Sequence, residues 1–299
     1  MSPSKRKKMI QAIFASPTYR KAYQDVEFLA REELRPVRLE LELLKPELAL
    51  IDEGVESTIV VFGSARILSP EEMTRQVARL RKSLRRDPAS LDLRSRLSSA
   101  ENLLDLSRYY EEARRFAQIA TRASMGSAKK HWVVVTGGGP GIMEAANRGA
   151  YDAGGKSIGL NITLPHEQEP NAYMTPELSF QFHYFAIRKM HFLMRAKAMV
   201  AFPGGFGTLD ELFESLTLVQ TGKKTRLPIV LVGRDFWPRV IDFKTLADEG
   251  VISPKDIDLL QIVDTAEEAW AVVQDFWKAN GRTAERSRRS FTAHREKNA

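Results

Sequence analysis

Hydrophobic and polar positions follow three rhythms in succession along this chain. Over residues 1–50 the apolar side chains, among them Phe14, Tyr19, Tyr23, Val26 and Phe28 and then Leu39, Leu41, Leu43 and Leu44 ahead of Pro46, fall at helical spacings, and glycine is absent. This predicts an N-terminal helical extension that packs on the main domain or on a second subunit. At Ser57 the pattern changes: Thr58-Ile-Val-Val-Phe62 is a β-branched apolar run ending in Gly63-Ser64-Ala65-Arg66, which reads as a buried parallel strand. Residues 70–126 are dense in Arg, Glu, Leu and Ala and break at Asp87-Pro88, predicting two or three helices with a hairpin. That length exceeds an ordinary crossover, so the region includes an insertion, read as structural or oligomeric rather than catalytic.

From His131 onward, apolar runs at 132–135, 157–162, 198–202 and 228–232 alternate with helical segments, and a partly alternating run at 178–184 predicts a further strand. Alternation of this kind predicts an α/β fold: a Rossmann-like, doubly wound parallel sheet with helices on both faces and ligands at the carboxyl ends of the strands. A helix over 264–279, with Ala269, Val272, Val273 and Phe276 on one face and Gly281 as its stop, closes the core. The domain plan is therefore an extension over 1–50, a Rossmann-like domain over 51–280 and a basic tail over 281–299 that is expected to be disordered. No internal repeat is evident.

Composition narrows the chemistry. At 43% hydrophobic and 28% charged residues the chain fits a soluble globular class. It has no cysteine, which excludes disulfides and thiolate catalysis and suits a reducing compartment. The five histidines, His131, His166, His183, His191 and His294, show no zinc-site spacing, so no metal is expected. The net charge of +7 is concentrated in Lys5 to Lys8 and in a tail carrying Arg286, Arg288, Arg289, Arg295 and Lys297, the pattern of solvated ends rather than of a nucleic-acid surface. No apolar stretch reaches the roughly 18 residues of a membrane span, and the stretch after Lys8 is too short and polar for a signal-peptide core, so a cytoplasmic protein is expected.

Two glycine loops carry the functional signal. Thr136-Gly-Gly-Gly-Pro-Gly-Ile-Met-Glu144 stands between a strand and a helix predicted over 145–153; it lacks the Gly-Lys-Ser/Thr of a Walker loop and is not a dinucleotide fingerprint. On its own it fits tight packing as well as ligand contact. Pro203-Gly-Gly-Phe-Gly-Thr208 has the same context, with Thr208 expected to cap the following helix or to donate its hydroxyl to a phosphate. Two such loops on neighbouring strands would aim two helix N-termini at one crevice, a phosphate site. Glu211, expected on the first helical turn, would by itself be only a dipole or capping residue, and Arg188 and Lys189 only a surface pair. Together they place an acid and cations around a phosphate loop, which suits cleavage of an N-glycosidic bond: a carboxylate orients water and a cation supports the departing base or the phosphate.

Gly-Gly-Gly-Pro-Gly-Ile-Met at 137–143 and Pro-Gly-Gly-Phe-Gly-Thr-Leu-Asp-Glu at 203–211, with Arg188-Lys189 upstream, resemble the signature of the LOG (lonely guy) family, cytokinin riboside 5'-monophosphate phosphoribohydrolases often misannotated as lysine decarboxylases. The resemblance covers about 57–235. It implies Arg188 and Glu211 as catalytic residues, Gly204, Gly205, Gly207 and Thr208 as the 5'-phosphate loop, and Gly138, Gly139 and Gly141 as nucleotide contacts. Met143 and Glu144 would stand at the pocket edge and Lys189 beside the substrate. The substrate would be a nucleoside 5'-monophosphate, without metal, nicotinamide or pyridoxal cofactor. A homodimer or larger homo-oligomer is implied, with Arg195, Lys197 and the aromatic residues around Tyr184 near the subunit boundary.

The extension, the helical insertion and the tail depart from the compact plant-like members, and the motifs at 63–66 and 141–150 resemble the larger bacterial members, which leaves AMP and cytokinin precursors both open. Two rival readings stand beside this one. A pyridoxal-dependent decarboxylase would need a Schiff-base lysine, nominally Lys189 or Lys197; a non-catalytic nucleotide-binding or sensing protein would use the same loops without hydrolysis.

Overall fold

The computed structural model describes residues 1–125, 130–163 and 169–280. The predicted basic tail, Gly281, His166 and His294 lie outside the described residues.

The chain divides into two compact units, the first ending at Leu48. In the first unit, helix α1 (Pro3–Ala15) starts with proline at its first position and Ser2 accepting from the Lys5 amide. Helix α2 (Val26–Leu29) is capped by Asp25. Helix α3 (Arg35–Asp52) begins in this unit and is strongly amphipathic, with Pro46 inside it.

The second unit is built on seven parallel strands: β1 (Thr58–Phe62), β2 (Val133–Thr136), β3 (Ser157–Ile162), β4 (Ser179–Phe182), β5 (Ala196–Ala201), β6 (Ile229–Val232) and β7 (Leu260–Val263), in the order β4-β3-β2-β1-β5-β6-β7. The chain winds outward from β1 to one edge, then crosses to β5 and winds to the other, as the doubly wound expectation requires. Strand β1 pairs with β2 on one side and β5 on the other, with Val60 opposite both Val135 and Met199.

Because helices cover both faces, side chains of both parities along a strand are buried, which is why the sequence reads as unbroken apolar runs. Ile59, Val61, Val134, Val200 and Val230 pack into one layer with Tyr110, Phe116 and Ala117 of α6 (Arg108–Ser124), Ala146 of α7 (Ile142–Asp152) and Val273 of the closing helix over 266–280. Val60, Phe62, Met199 and Leu231 face the other layer, with Phe192 of α8 (Phe185–Met194), Leu212 of α9 (Phe206–Gln220), Trp237 of α10 (Trp237–Val240) and Phe243 of α11 (Phe243–Asp248).

The helical region resolves into three elements. Helices α4 (Pro70–Arg86) and α5 (Leu91–Leu106) form a hairpin with its own core of Met73, Val77, Leu80 and Ala100, while α6 is the crossover helix that packs on α7 and the sheet. The break at Asp87 is as predicted, but α5 and α6 separate at Ser107, where the hydroxyl donates to the Leu104 carbonyl (2.6 Å) and so ends the turn.

Two expectations are corrected. Strand β7 was not anticipated: Leu260–Val263 is four residues long, sits at the sheet edge and leaves Gln261 exposed, so it carries little apolar signal. The glycine loops do not follow neighbouring strands either, since β1 lies between β2 and β5. No described helix is long and apolar enough to cross a membrane.

Candidate active site

An open cleft of about 800 Å³ lies at the carboxyl ends of β1, β2, β3 and β5, the position expected at the point where strand order reverses. Its floor is tied together by the turn after β1. The Ser64 amide donates to the Pro203 carbonyl (3.0 Å), and the Ser64 carbonyl accepts from the Ile142 amide (3.1 Å), so one residue joins both glycine loops across β1.

The loop after β2 is held from below by a buried polar network. The Thr136 hydroxyl donates to Asn147 Oδ1 (2.7 Å) and accepts from the Gly138 amide (3.0 Å), while Asn171 Nδ2 donates to the Gly139 carbonyl and to Asn147 Oδ1 (both 3.0 Å). Gly138 and Gly141 have φ of 73° and 70°, where side chains are strained. A Cβ on Gly141 would lie 2.5 Å from the Ser64 carbonyl oxygen, and one on Gly138 would strike Asn161. Part of this loop's glycine content is therefore accounted for by packing.

The loop after β5 differs. A Cβ on Gly204 would strike the Thr208 hydroxyl, but at Gly205 and Gly207 it would meet nothing within 4 Å. Gly205 is the N-cap of α9 and brings no side-chain acceptor, so the Phe206 and Gly207 amides stand at the positive end of the helix dipole with no side-chain cap. The expected capping role of Thr208 is corrected: it lies within the helix, buried beneath Gly204, and its amide bonds to the Gly205 carbonyl (3.0 Å). Glu211 likewise falls on the second turn, because α9 starts at Phe206, two residues before the anticipated cap.

That one-turn shift puts Glu211 in the interior, 5% exposed. Burial pushes its carboxyl up to about 7; Lys189 and Arg188 pull the value down, and Glu214 and Asp210 push it up further. Arg188 is placed by α8: its Nε donates to the Leu160 carbonyl (2.6 Å), its guanidinium stands 5.1 Å over the Phe192 ring, and it lies against Gly137, where a Cβ would fall 2.6 Å from Nη2. Burial lowers the basicity of Arg188, and the charge of Glu211 opposes that loss. Lys189 Nζ hydrogen-bonds Asp210 (2.8 Å) and pairs with Glu214 (3.1 Å). Burial works against its charge, but the two carboxylates prevail and raise its pKa.

Arg188, Glu211, Gly139, Met143, Gly204, Gly205, Gly207 and Thr208 all line the cleft. Gly138, Gly141, Glu144 and Lys189 do not line it: the two glycines pack beneath the loop, Glu144 accepts from the Tyr110 hydroxyl (2.8 Å), and Lys189 bridges acids of α9. Sequence reasoning passed over Asn161, the turn Ser64 to Arg66, and the aromatic wall of Phe185, Phe206 and Phe236, which also line the cleft. The signals were available: Asn161 is a polar residue near the carboxyl end of an apolar run, and the turn follows the first strand of the sheet. Among the described residues no lysine lines the cleft, and Lys197 instead sits 5.0 Å over the Trp277 ring. Among the described residues no group of three His, Asp or Glu side chains is arranged to hold a metal ion.

Fold and site together define a doubly wound α/β protein with an anion-receptive helix N-terminus and a buried glutamate beside an arginine. Residues 143–273 match the family described as "Possible lysine decarboxylase". The cytokinin riboside 5'-monophosphate phosphoribohydrolase of Mycobacterium tuberculosis is 30% identical over 157 residues, covering 51% of this chain and 82% of that protein. A probable enzyme of the same name from Oryza sativa subsp. japonica is 29% identical over 164 residues (51% and 72%), and one from Arabidopsis thaliana is 28% identical over 156 residues (51% and 71%). The chain belongs to the LOG family that its two glycine motifs resemble.

Proposed function

We propose that this protein is a nucleoside 5'-monophosphate phosphoribohydrolase, which hydrolyses AMP or a cytokinin riboside 5'-monophosphate to the free base and ribose 5-phosphate. The observation that carries the reading is the buried Glu211 carboxyl beside Arg188, one turn inside a helix whose uncapped N-terminus opens on the same cleft.

In this reading the 5'-phosphate binds the first-turn amides at Gly205 to Gly207, with the Thr208 hydroxyl behind them. The bond from ribose C1′ to the base nitrogen breaks, and water oxygen bonds to C1′. Glu211 as carboxylate orients that water and takes one of its protons, while Arg188 stabilises charge near the scissile bond. The proton that Glu211 takes from the water is passed on to the departing base, which restores the carboxylate, and the aromatic side chains of Phe185, Phe206 and Phe236 offer the base a stacking surface. Of the two lysines nominated for a Schiff base, Lys189 is paired with Asp210 and Glu214 and Lys197 lies over the Trp277 ring, which weighs against Schiff-base decarboxylation. A homo-oligomer, which the motif resemblance implies, is part of the same reading.

The test is base release from AMP, GMP, CMP and isopentenyladenosine monophosphate by wild type and Glu211→Gln. The substitution keeps size and removes the carboxylate, so turnover falls by roughly a thousandfold on the preferred substrate. Unchanged turnover in Glu211→Gln would sink the mechanism, and nucleotide binding without base release by the wild type would favour a sensor. Because Glu211 must lose its proton to act, kcat/KM is expected to rise with pH through about 7.

A further inference from the structure

Helix α3 carries two apolar stripes, and among the described residues only one is covered. Pro46 and Leu50 are buried and Leu43 is half-buried on one side. On the other, Val37, Leu41, Leu44, Leu48 and Ile51 are 40%, 52%, 43%, 55% and 56% exposed. Their spacing alternates four and three, the repeat of a two-helix seam, with Leu41 and Leu48 at a positions and Val37, Leu44 and Ile51 at d positions. Exposed aliphatic side chains scattered over a surface need no explanation, but five in register on one helix do.

We propose that this stripe pairs with the same stripe of a second copy of the chain, the two α3 helices running parallel. The flanking charges choose the occupant and the direction. Glu40 precedes an a position and Lys45 follows a d position; both are exposed, and neither pairs with a described residue. In a parallel pair each Glu40 faces the partner copy's lysine at position 45, giving two opposite-charge contacts related by symmetry. An antiparallel pair sets like flanks together, Glu40 among the glutamates at 33 and 47, and Lys45 beside Arg38. Arg38 is engaged with the carbonyls of Leu29 and Arg31, so the Glu40–Lys45 contact carries the argument. Glu47 would face Asp52, a like-charged contact at the end of the seam. Leu50, off this stripe, is buried in the core of its own chain.

An isolated helix of 18 residues is marginal in water, but α3 is already folded and has Leu50 anchored in the core, so pairing carries little further ordering cost.

The chain has no cysteine, so a single introduced thiol reports its own neighbourhood. Leu44→Cys in the full chain is expected to form a disulfide-linked dimer under mild oxidation, because equivalent d positions meet only in a parallel pair. Leu91→Cys, on a more accessible side chain (77% exposed against 43% for Leu44), is the control and is expected to stay unlinked. By light scattering, Leu41→Glu with Leu44→Glu should lower the mass of the assembly about twofold at unchanged far-UV circular dichroism. Glu40→Lys alone should weaken association, and Glu40→Lys with Lys45→Glu should restore it, which keeps the test meaningful if the apolar variant misfolds. Crosslinking at position 44 no faster than at 91, or failure of the double charge swap to restore the mass lost in Glu40→Lys, would overturn the proposal.

Discussion

The two glycine loops look alike as sequence and behave differently as structure. After β2, Gly138 and Gly141 take positive φ, press against Asn161 and the Ser64 carbonyl, and rest on the Thr136, Asn147 and Asn171 network; the Ile142 amide at the start of α7 is already spent on Ser64. After β5, Gly205 and Gly207 face open space, and the first turn of α9 has no side-chain cap. One loop needs glycine chiefly because nothing larger fits; the other has glycine where a ligand can approach backbone amides. Glycine richness therefore marks close approach, and only the neighbours say whether the approaching group is protein or substrate.

That contrast can be broken most sharply from the packed side. Gly141→Ala adds strain at positive φ and a clash with the Ser64 carbonyl, so it should lower stability by about 2–4 kcal/mol in urea denaturation. A loss below about 0.5 kcal/mol would place this loop in the same category as the other.

The second measurement reads the cost of Glu211. Its folded carboxyl titrates at about 7 against an ordinary 4.5, so between those values the folded state holds more protons than the unfolded one, and stability falls as pH rises through that window. The full difference is on the order of 3 kcal/mol, and Glu211→Gln should abolish it. The quantity to compare is wild type minus variant at pH 5 and pH 8, which cancels other titrating groups such as Glu112. A difference independent of pH would mean that Glu211 is not desolvated in solution.

The smallest effect is expected at the open loop. Gly207→Ala has ordinary φ and meets nothing, so unfolding should shift by no more than about 1 kcal/mol, but the methyl projects where the phosphate is proposed to sit. KM should rise about tenfold, or roughly 1.4 kcal/mol, with kcat little changed. An unstable Gly207→Ala would remove the distinction between the loops.

The sequence by itself determined the parallel sheet, because burial on both faces demands strands such as Thr58–Phe62 and Ile229–Val232, buried at every position and apolar at all but Thr58. It also marked both glycine loops and the Arg188 and Glu211 pair, since motif and spacing are local properties. It did not reveal β7, whose edge position asks for little apolar content, nor Ser64, whose role is two backbone hydrogen bonds to segments far away in the chain. Only the tertiary structure decided that β1 stands between the two loop-bearing strands, that Gly138 and Gly141 pack while Gly205 and Gly207 stay open, and that Glu211 lies one turn inside α9. The reason is physical: a carboxyl acquires its pKa from burial and neighbouring charge, and a glycine its purpose from what lies within 4 Å, and both are supplied by residues remote in sequence.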